Sequence, residues 1–262
     1  MSKTLFLVII IVLLVKSGNV FSKENIFNVD NIIITDGKNK NKQQILNSAF
    51  NIGFEKLIKK ILLKEDAQLI LKTDSNEVKN LISSYQIKKI ENSINQEIIV
   101  SISFNREKIN KFFYTKNVAY ADINLTKVVI LPILVKDNKN YYFSDNFFYN
   151  NWNKDIQEDE FIEYILPLAN LDDIKFLNQN SENLENINIQ KILLDYDVED
   201  YIFLIISKNE NNFDLFIKGK ISNKEVIKNV KLKSFKSNED LEFKKMIKKI
   251  KVEIDEIWKK EN

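Results

Sequence analysis

The sequence predicts two small mixed domains of the α+β and α/β classes, each a sheet packed by helices. Three observations lead to this fold class. An unbroken apolar run at 128–135 is typical of a strand buried on both faces. A clean alternation of apolar and polar residues over 97–104 indicates a strand with one buried face. Two long stretches, 42–64 and 237–260, repeat apolar residues at helical spacing, so each should pack one apolar stripe against a sheet.

The composition is that of a folded protein. The chain has 262 residues, of which 44% are hydrophobic and 11% aromatic, and this content is enough to bury two cores. It contains neither cysteine nor histidine. The lack of cysteine excludes disulfides, thiolate metal sites and the lipid-modified amino terminus of bacterial lipoproteins. Without histidine the chain also lacks the usual general base and the commonest zinc ligand.

The first 22 residues have the three parts of a secretory signal peptide. Lys3 gives a basic start, an apolar run follows over 5–15, and Val20 and Ser22 occupy the minus-three and minus-one positions of a cleavage site. A membrane-spanning helix needs about 20 apolar residues, so this run is too short to remain as an anchor. We therefore predict cleavage after Ser22, export to the periplasm, and no membrane span after the signal peptide is removed.

The mature chain is predicted to be electrically neutral. Lys3 and Lys16 leave with the signal peptide, and 37 of the 39 basic residues then remain against 37 acidic ones. Proteins that bind nucleic acids or other polyanions through general electrostatics need an excess of positive charge. A nucleic-acid partner is therefore not predicted.

The first domain is predicted over 24–117. Its elements in order are a strand over 27–35, a helix over 42–64, a short helix over 76–85, a hairpin of strands over 86–93 and 97–104, and a helix over 106–113. Gly53 in the long helix should mark a close approach to the sheet, because glycine costs about 1 kcal/mol relative to alanine in a helix interior. Asn105 is predicted to cap the last helix, and 114–125 to form a linker.

The second domain is predicted over 126–262 and is built on the strand at 128–135. The elements that follow are a strand over 160–168, a helix over 184–196, a strand over 201–207, an antiparallel pair over 213–221 and 225–235, and a helix from about 237 to 260. Pro132 should lie where no amide donor is needed. Gly219 should mark a bulge or a close approach.

An aromatic stretch at 141–152 is the best candidate for a binding surface. Alternation sends successive side chains to opposite faces, so some of its rings should form an exposed patch. The six candidates are Tyr141, Tyr142, Phe147, Phe148, Tyr149 and Trp152. Aromatic faces beside amide groups can stack on sugar rings and bond to their hydroxyls. The alternative interpretation is that the rings plug the edge of the core.

Three segments carry a resemblance to a known family. They are Val-Ile-Leu-Pro-Ile-Leu at 129–134 with the stretch up to Trp152, Leu-Pro-Leu-Ala-Asn-Leu-Asp-Asp at 166–173, and Tyr-Asp-Val-Glu-Asp-Tyr-Ile at 196–202. The chain resembles a proteobacterial envelope family known as domain of unknown function 2066. Its second half is also similar to the amino-terminal domain of the Tol-system periplasmic β-propeller protein, an α/β sandwich used for protein contacts. The resemblance implies a periplasmic, non-enzymatic role, and it singles out a candidate loop with Asn170, Asp172 and Asp173.

The sequence therefore predicts an exported, non-enzymatic cell-envelope protein, a periplasmic binding or adaptor module for envelope assembly or maintenance. Its partner is expected to be another envelope protein, with peptidoglycan or another glycan as the alternative. No catalytic residue, metal site or cofactor is assigned. The second function class is a sugar-binding or peptidoglycan-binding protein, or a glycosidase with two carboxyl groups about 5 to 10 Å apart in a cleft. The acids available for such a pair are Asp172, Asp173, Asp195, Asp197, Glu199 and Asp200.

Overall fold

The computed structural model describes residues 25–35, 42–90, 97–121, 126–154, 162–193, 196–235 and 237–262. Within these ranges the chain forms two sheets, each packed by helices, and the predicted mixed fold class is confirmed. The limits of the two domains stay predictions. The predicted signal peptide and the turn of the predicted hairpin, at 94–96, lie outside the described residues.

The first sheet has three antiparallel strands in the order β1–β3–β2. Its strands are β1 (Asn28–Thr35), β2 (Ile82–Ile90) and β3 (Glu97–Phe104). The helices of this half are α1 (Lys42–Ile61), α2 (Lys64–Ile70), α3 (Ser75–Leu81) and α4 (Arg106–Lys116). The predicted alternation of β3 is confirmed, because Val100, Ile102 and Phe104 are buried while Ser101 and Ser103 are only half-buried.

Close packing of α1 on the sheet explains the glycine at its centre. A Cβ atom on Gly53 would lie 2.7 Å from Cδ1 of Ile102 and 2.9 Å from Cδ1 of Ile32, so the predicted close approach is confirmed. The predicted cap is confirmed as well, since the Asn105 side chain accepts a hydrogen bond from the amide of Lys108 over 3.0 Å.

The predicted helix over 76–85 is wrong beyond Leu81. The backbone turns extended at Ile82, and β2 begins there by pairing Ile82 with Phe104. Pairing with β3 therefore overrides the helical pattern of the sequence over 82–85. Helix α2 was not predicted as a separate element; it follows α1 after a break at 62–63.

The second sheet is mixed, with the order β5–β4–β7–β8–β9 and with β6 also pairing with β4. Its strands are β4 (Thr126–Lys136), β5 (Lys139–Tyr141), β6 (Ile162–Ile165), β7 (Tyr201–Lys208), β8 (Asn212–Ile221) and β9 (Lys224–Lys233). Strands β6 and β7 run parallel to β4, and the other pairings are antiparallel. The predicted antiparallel pair at the end of the sheet is confirmed.

Strand β4 is buried on both faces, as predicted. Ile130 and Leu134 belong to one apolar cluster, and Leu131 and Ile133 belong to the other. The first cluster is covered by α8 (Glu239–Glu261), the predicted final helix, together with α5 (Phe147–Asn151). The second is covered by α6 (Leu171–Gln179), α7 (Gln190–Leu193) and the 3₁₀ turn Leu184–Asn186. The second sheet is therefore the middle of three layers.

Pro132 lies in β4 where one edge has no strand beside it. The register places β6 against 126–129 and β5 against 134–136 of the same strand. The carbonyl of Pro132 instead accepts a hydrogen bond from the side chain of Asn146 over 2.8 Å. The missing amide of the proline therefore breaks no ladder, which agrees with the prediction.

Two predicted elements of this half need correction. The strand predicted over 160–168 is described only as the four residues of β6. The helix predicted over 184–196 is wrong, because the chain forms a 3₁₀ turn and then the four-residue α7. Asparagines cause the break: Asn186 bonds to Asn183, and the side chain of Asn188 accepts a hydrogen bond from the amide of Gln190 over 3.2 Å. Such local side-chain bonds compete with helix continuation.

Candidate functional site

The six aromatic residues proposed as a contact patch pack into the core instead. Tyr142, Phe148 and Trp152 are buried, and Tyr141, Phe147 and Tyr149 are half-buried. The expectation of an exposed patch is therefore wrong. The alternative interpretation, in which the rings plug the edge of the core, describes their position.

Helical turns explain how these rings reach the core. The prediction assumed extended backbone, in which neighbouring side chains point to opposite faces. The stretch instead forms the 3₁₀ turn Phe143–Asp145 and then α5, with Asn146 between them as the cap of α5. Phe148 packs against Phe243 of α8 at 5.1 Å between ring centroids, and Trp152 packs edge-on against Tyr164 at 5.6 Å.

The loop at 166–171, between β6 and α6, is held by hydrogen bonds at successive residues. The hydroxyl of Tyr149 donates to the carbonyl of Pro167 over 2.6 Å, and the amide of Leu168 donates to the hydroxyl of Tyr196 over 2.6 Å. Burial and the nearby Tyr196 raise the pKa of Tyr149 above its usual value, which keeps its hydroxyl protonated as the donor. Tyr149 of the aromatic stretch therefore holds the backbone of this loop in place.

Two leucines of the loop project into solvent. Leu168 is 77% exposed and Leu171 is 75% exposed, whereas Pro167 in the same loop is buried. Large apolar side chains that stay exposed on a fixed backbone are a common feature of contact sites. The two leucines were not predicted, because only the polar residues of this loop were singled out in the sequence. The available signal was a pair of large apolar residues, Leu168 and Leu171, beside the polar residues at the start of α6.

The polar residues of the candidate loop form the start of α6. The side chain of Asn170 accepts a hydrogen bond from the amide of Asp173 over 2.8 Å and donates one to the carboxylate of Asp173 over 2.6 Å. Asp172 is 96% exposed and lies 3.7 Å from Lys175. Acids in the first turn of a helix stabilise it through the helix dipole. Asn170 and Asp173 thus end the loop and start the helix, and the side chain of Asp172 lies in solvent.

Two further acids of the suggested carboxylate group, Asp200 and Glu199, have separate partners. Asp200 accepts a hydrogen bond from the amide of Ser222 over 2.9 Å, and burial raises its pKa above the usual range despite that bond. Glu199 is 80% exposed and lies 3.9 Å from Lys220. Asp195 lies outside the described residues. Within the described ranges, no group of three or more acidic side chains is placed to hold a metal ion.

A cluster of opposite charges lies where β4 and β7 end and α8 begins. Glu239 contacts Lys136 at 2.7 Å and Lys208 at 2.8 Å, and Lys208 contacts the buried Glu242 at 3.1 Å. Hydrogen bonds from Lys136 and Lys208 hold the pKa of Glu239 below its usual value. These side chains have no place in the sequence predictions, because they are far apart in the chain and meet only when the sheet is assembled.

The charge cluster fixes α8 to the sheet. Burial alone would raise the pKa of Glu242, but hydrogen bonds from Ser234, from Lys208 and from the amide of Phe235 outweigh it and lower the pKa. The ammonium of Lys208 also lies 4.9 Å from the centre of the Phe243 ring. Each charged side chain of this cluster is thus bonded to another one, which is the arrangement of a structural ion network.

No helix in the described part of the chain combines the length and the apolar character that crossing a membrane requires. No protein-family model, no curated protein and no solved structure matches this chain. The resemblance to the envelope family and to the Tol-system domain therefore stays a prediction.

Proposed function

We propose that this protein is an exported, non-enzymatic module of the cell envelope, which binds another periplasmic protein through the loop at 166–171. The observation that carries the proposal is the exposure of Leu168 and Leu171 on a loop whose backbone is fixed by Tyr149 and Tyr196. A fixed loop loses little conformational entropy when a partner covers it. Burial of two leucines contributes about 1.5 to 3 kcal/mol each.

The role of binding module rather than glycosidase is supported by what the acids do. Asp172, Asp173 and Asp200 are engaged in helix starts and turns, and the rings proposed for sugar stacking lie in the core. The periplasmic location is supported by the signal-like first 22 residues. Mass spectrometry of the native amino terminus tests this part of the proposal. We expect a mature chain that begins after Ser22, and one that begins at Met1 would contradict export.

The contact loop is tested by placing a photo-crosslinking amino acid at Leu168 in the intact envelope. The crosslinked protein is identified, purified and titrated with the mature chain, with the double variant Leu168→Ser/Leu171→Ser, and with the control Leu69→Ser. Leu69 is a suitable control because it is 64% exposed and lies on α2, outside the loop.

We expect the double variant to bind at least tenfold more weakly at an unchanged melting temperature, and the control to bind like the parent. Equal affinity of the parent and the double variant would contradict the assignment of the loop. Retention of the parent on purified peptidoglycan that is lost in the double variant would contradict a protein partner and favour the glycan alternative.

A further inference from the structure

Strand β2 forms an outer edge of the first sheet. It pairs with β3 along one side, and no described residue pairs with its other side. Every side chain from Ser83 to Lys88 is exposed, including Tyr85 and Ile87. An edge strand presents a row of backbone N–H and C=O groups that can pair with another extended chain.

Other long edge strands of the described sheets carry protective features along their length, whereas those of β2 lie at its two ends. Strand β9 has four lysines among its ten residues, and lysine on an edge discourages pairing. Strand β1 has a register shift between Val29 and Ile32, with Asn31 at a φ of 54°. Such a bulge bends an edge away from a flat partner. By contrast, the register shift of β2 lies at its start, between Ile82 and Ser84, and its first charged side chain is Lys88, near its end.

A groove of about 480 Å³ lies beside the free edge of β2. It is lined by Phe50, Lys79, Ile82, Ser83, Ser84 and Tyr85. The rings of Phe50 and Tyr85 meet edge-on with their centroids 5.2 Å apart, which forms an apolar wall between α1 and the strand. The groove can therefore receive alternate side chains of a segment that pairs with the edge.

Two lysine side chains lie near this edge. Among the residues that the structure describes, neither Lys79 in the groove nor Lys88 on the strand has an acidic side chain within ion-pair distance. Opposite charges across paired strands stabilise the pair, and like charges destabilise it. A second copy of β2 would bring the same two lysines from each copy to one interface. An acidic strand suits the edge better than a second copy.

We propose that the free edge of β2 binds an extended, acidic segment of a partner protein, which adds a fourth strand to the first sheet. Backbone hydrogen bonds along the edge supply affinity, and the groove and the two lysines select the side chains. This surface goes beyond the proposed loop contact, because it lies on the first sheet and uses none of the residues at 166–171.

The test uses blocked nine-residue peptides of alternating valine and threonine, with two glutamates in the probe and two lysines in the control. Fluorescence anisotropy with the full mature chain measures affinity, and amide NMR shifts locate the contact. We expect the glutamate peptide to bind at least tenfold more tightly than the lysine peptide, with shifted amides in β2. Methylation of alternate peptide amides should abolish binding in one of the two possible patterns, because only one set of amides faces β2.

Charge reversal provides the matched protein variants. Lys79→Glu/Lys88→Glu should lose the glutamate peptide and gain the lysine peptide, while Lys244→Glu/Lys248→Glu, on the exposed face of α8, should behave like the parent. Both double variants alter exposed or half-buried side chains and should melt like the parent. Leu168→Ser/Leu171→Ser should also bind the peptide normally, so failure of the loop proposal is separable from failure of this one.

Three results would overturn the proposal. The first is binding that neither methylation pattern weakens, since it would not involve the backbone edge. The second is equal affinity for both peptides, or no affinity for either. The third is a dimer in sedimentation equilibrium that the glutamate peptide dissociates, which would identify a second copy of the chain as the occupant of the edge.

Discussion

Asn146 donates a hydrogen bond from its side-chain Nδ2 to the carbonyl oxygen of Pro132, 2.8 Å away, and both residues are buried. Its Oδ1 atom accepts a second bond from the amide of Phe148 over 2.9 Å. One asparagine therefore gives a hydrogen-bond donor to a carbonyl at the open edge of β4 and also caps the start of α5. The aromatic residues that follow are directed into the core from this point.

Replacement of Asn146 should destabilise the second half of the protein. In Asn146→Ala, a buried carbonyl and a buried amide lose their partners, and each unsatisfied group costs about 1 to 3 kcal/mol. We expect the free energy of unfolding to fall by about 2 to 4 kcal/mol in urea titrations. Asn150→Ala is the control, because its bond to the carbonyl of Ser144 lies at the surface. Equal losses in both variants would mean that the buried bonds add nothing.

Trp152 should behave as a core residue. It is completely buried, so Trp152→Ala should lower the free energy of unfolding by about 3 to 5 kcal/mol. Among the residues that the structure describes, its indole Nε1 has no hydrogen-bond partner. Trp152→Phe removes that unsatisfied donor and should therefore cost clearly less than the alanine variant. Thermal melts measure both changes. A Trp152→Ala variant that melts like the parent but loses a partner would instead support the contact role.

Glu242 should make the free energy of unfolding depend on pH in the acidic range. Its pKa in the folded protein lies below the ordinary value of 4.5, so the carboxylate stabilises the fold above that pH. This contribution is lost as the pH falls through the lowered folded-state pKa. Glu242→Gln should therefore be less stable than the parent at neutral pH and should show a flatter decline in acid. Urea titrations at a series of pH values measure the difference. The control is Glu163→Gln, since Glu163 lies in an exposed pair with Lys127 at 3.8 Å, and it should keep the acid dependence of the parent.

The two close-packed glycines should respond differently to alanine. At Gly219 a Cβ atom would lie 2.3 Å from the backbone oxygen of Tyr201 in β7, which cannot move without disturbing the sheet. We expect Gly219→Ala to cost about 3 kcal/mol or more. At Gly53 the nearest atoms are the ends of isoleucine side chains, and alanine gains about 1 kcal/mol in helix propensity. Gly53→Ala should therefore change the free energy of unfolding far less, and equal losses would contradict this reasoning.

Periodic patterns predicted the elements that bury a continuous apolar face. Strand β4 and the helices α1 and α8 were found this way, because their apolar side chains repeat over many residues. The close approach of Gly219 to β7 was also predicted, although the ladder there contains no bulge. The sequence also predicted the helix cap at Asn105 correctly.

The failures have two physical causes. At 82–85, pairing with a distant strand decides the backbone, and nothing local in the sequence reports that pairing. At 141–152, one buried asparagine turns a presumed strand into helical turns and inverts the exposure of the rings. The exposed leucines at 168 and 171 were missed because their exposure depends on tyrosines elsewhere in the chain that hold the loop in place.

Helix α8 covers one face of the second sheet, and it follows every strand of that sheet in the chain. Any process that delivers the polypeptide from its amino terminus, whether ribosomal synthesis or translocation, therefore releases all the strands before their cover. During that interval the side chains of Ile130, Leu204 and Leu215 lack the cover of α8. Nascent chains with such bare apolar faces aggregate readily, so maturation of this protein should depend on a holding chaperone until α8 has emerged.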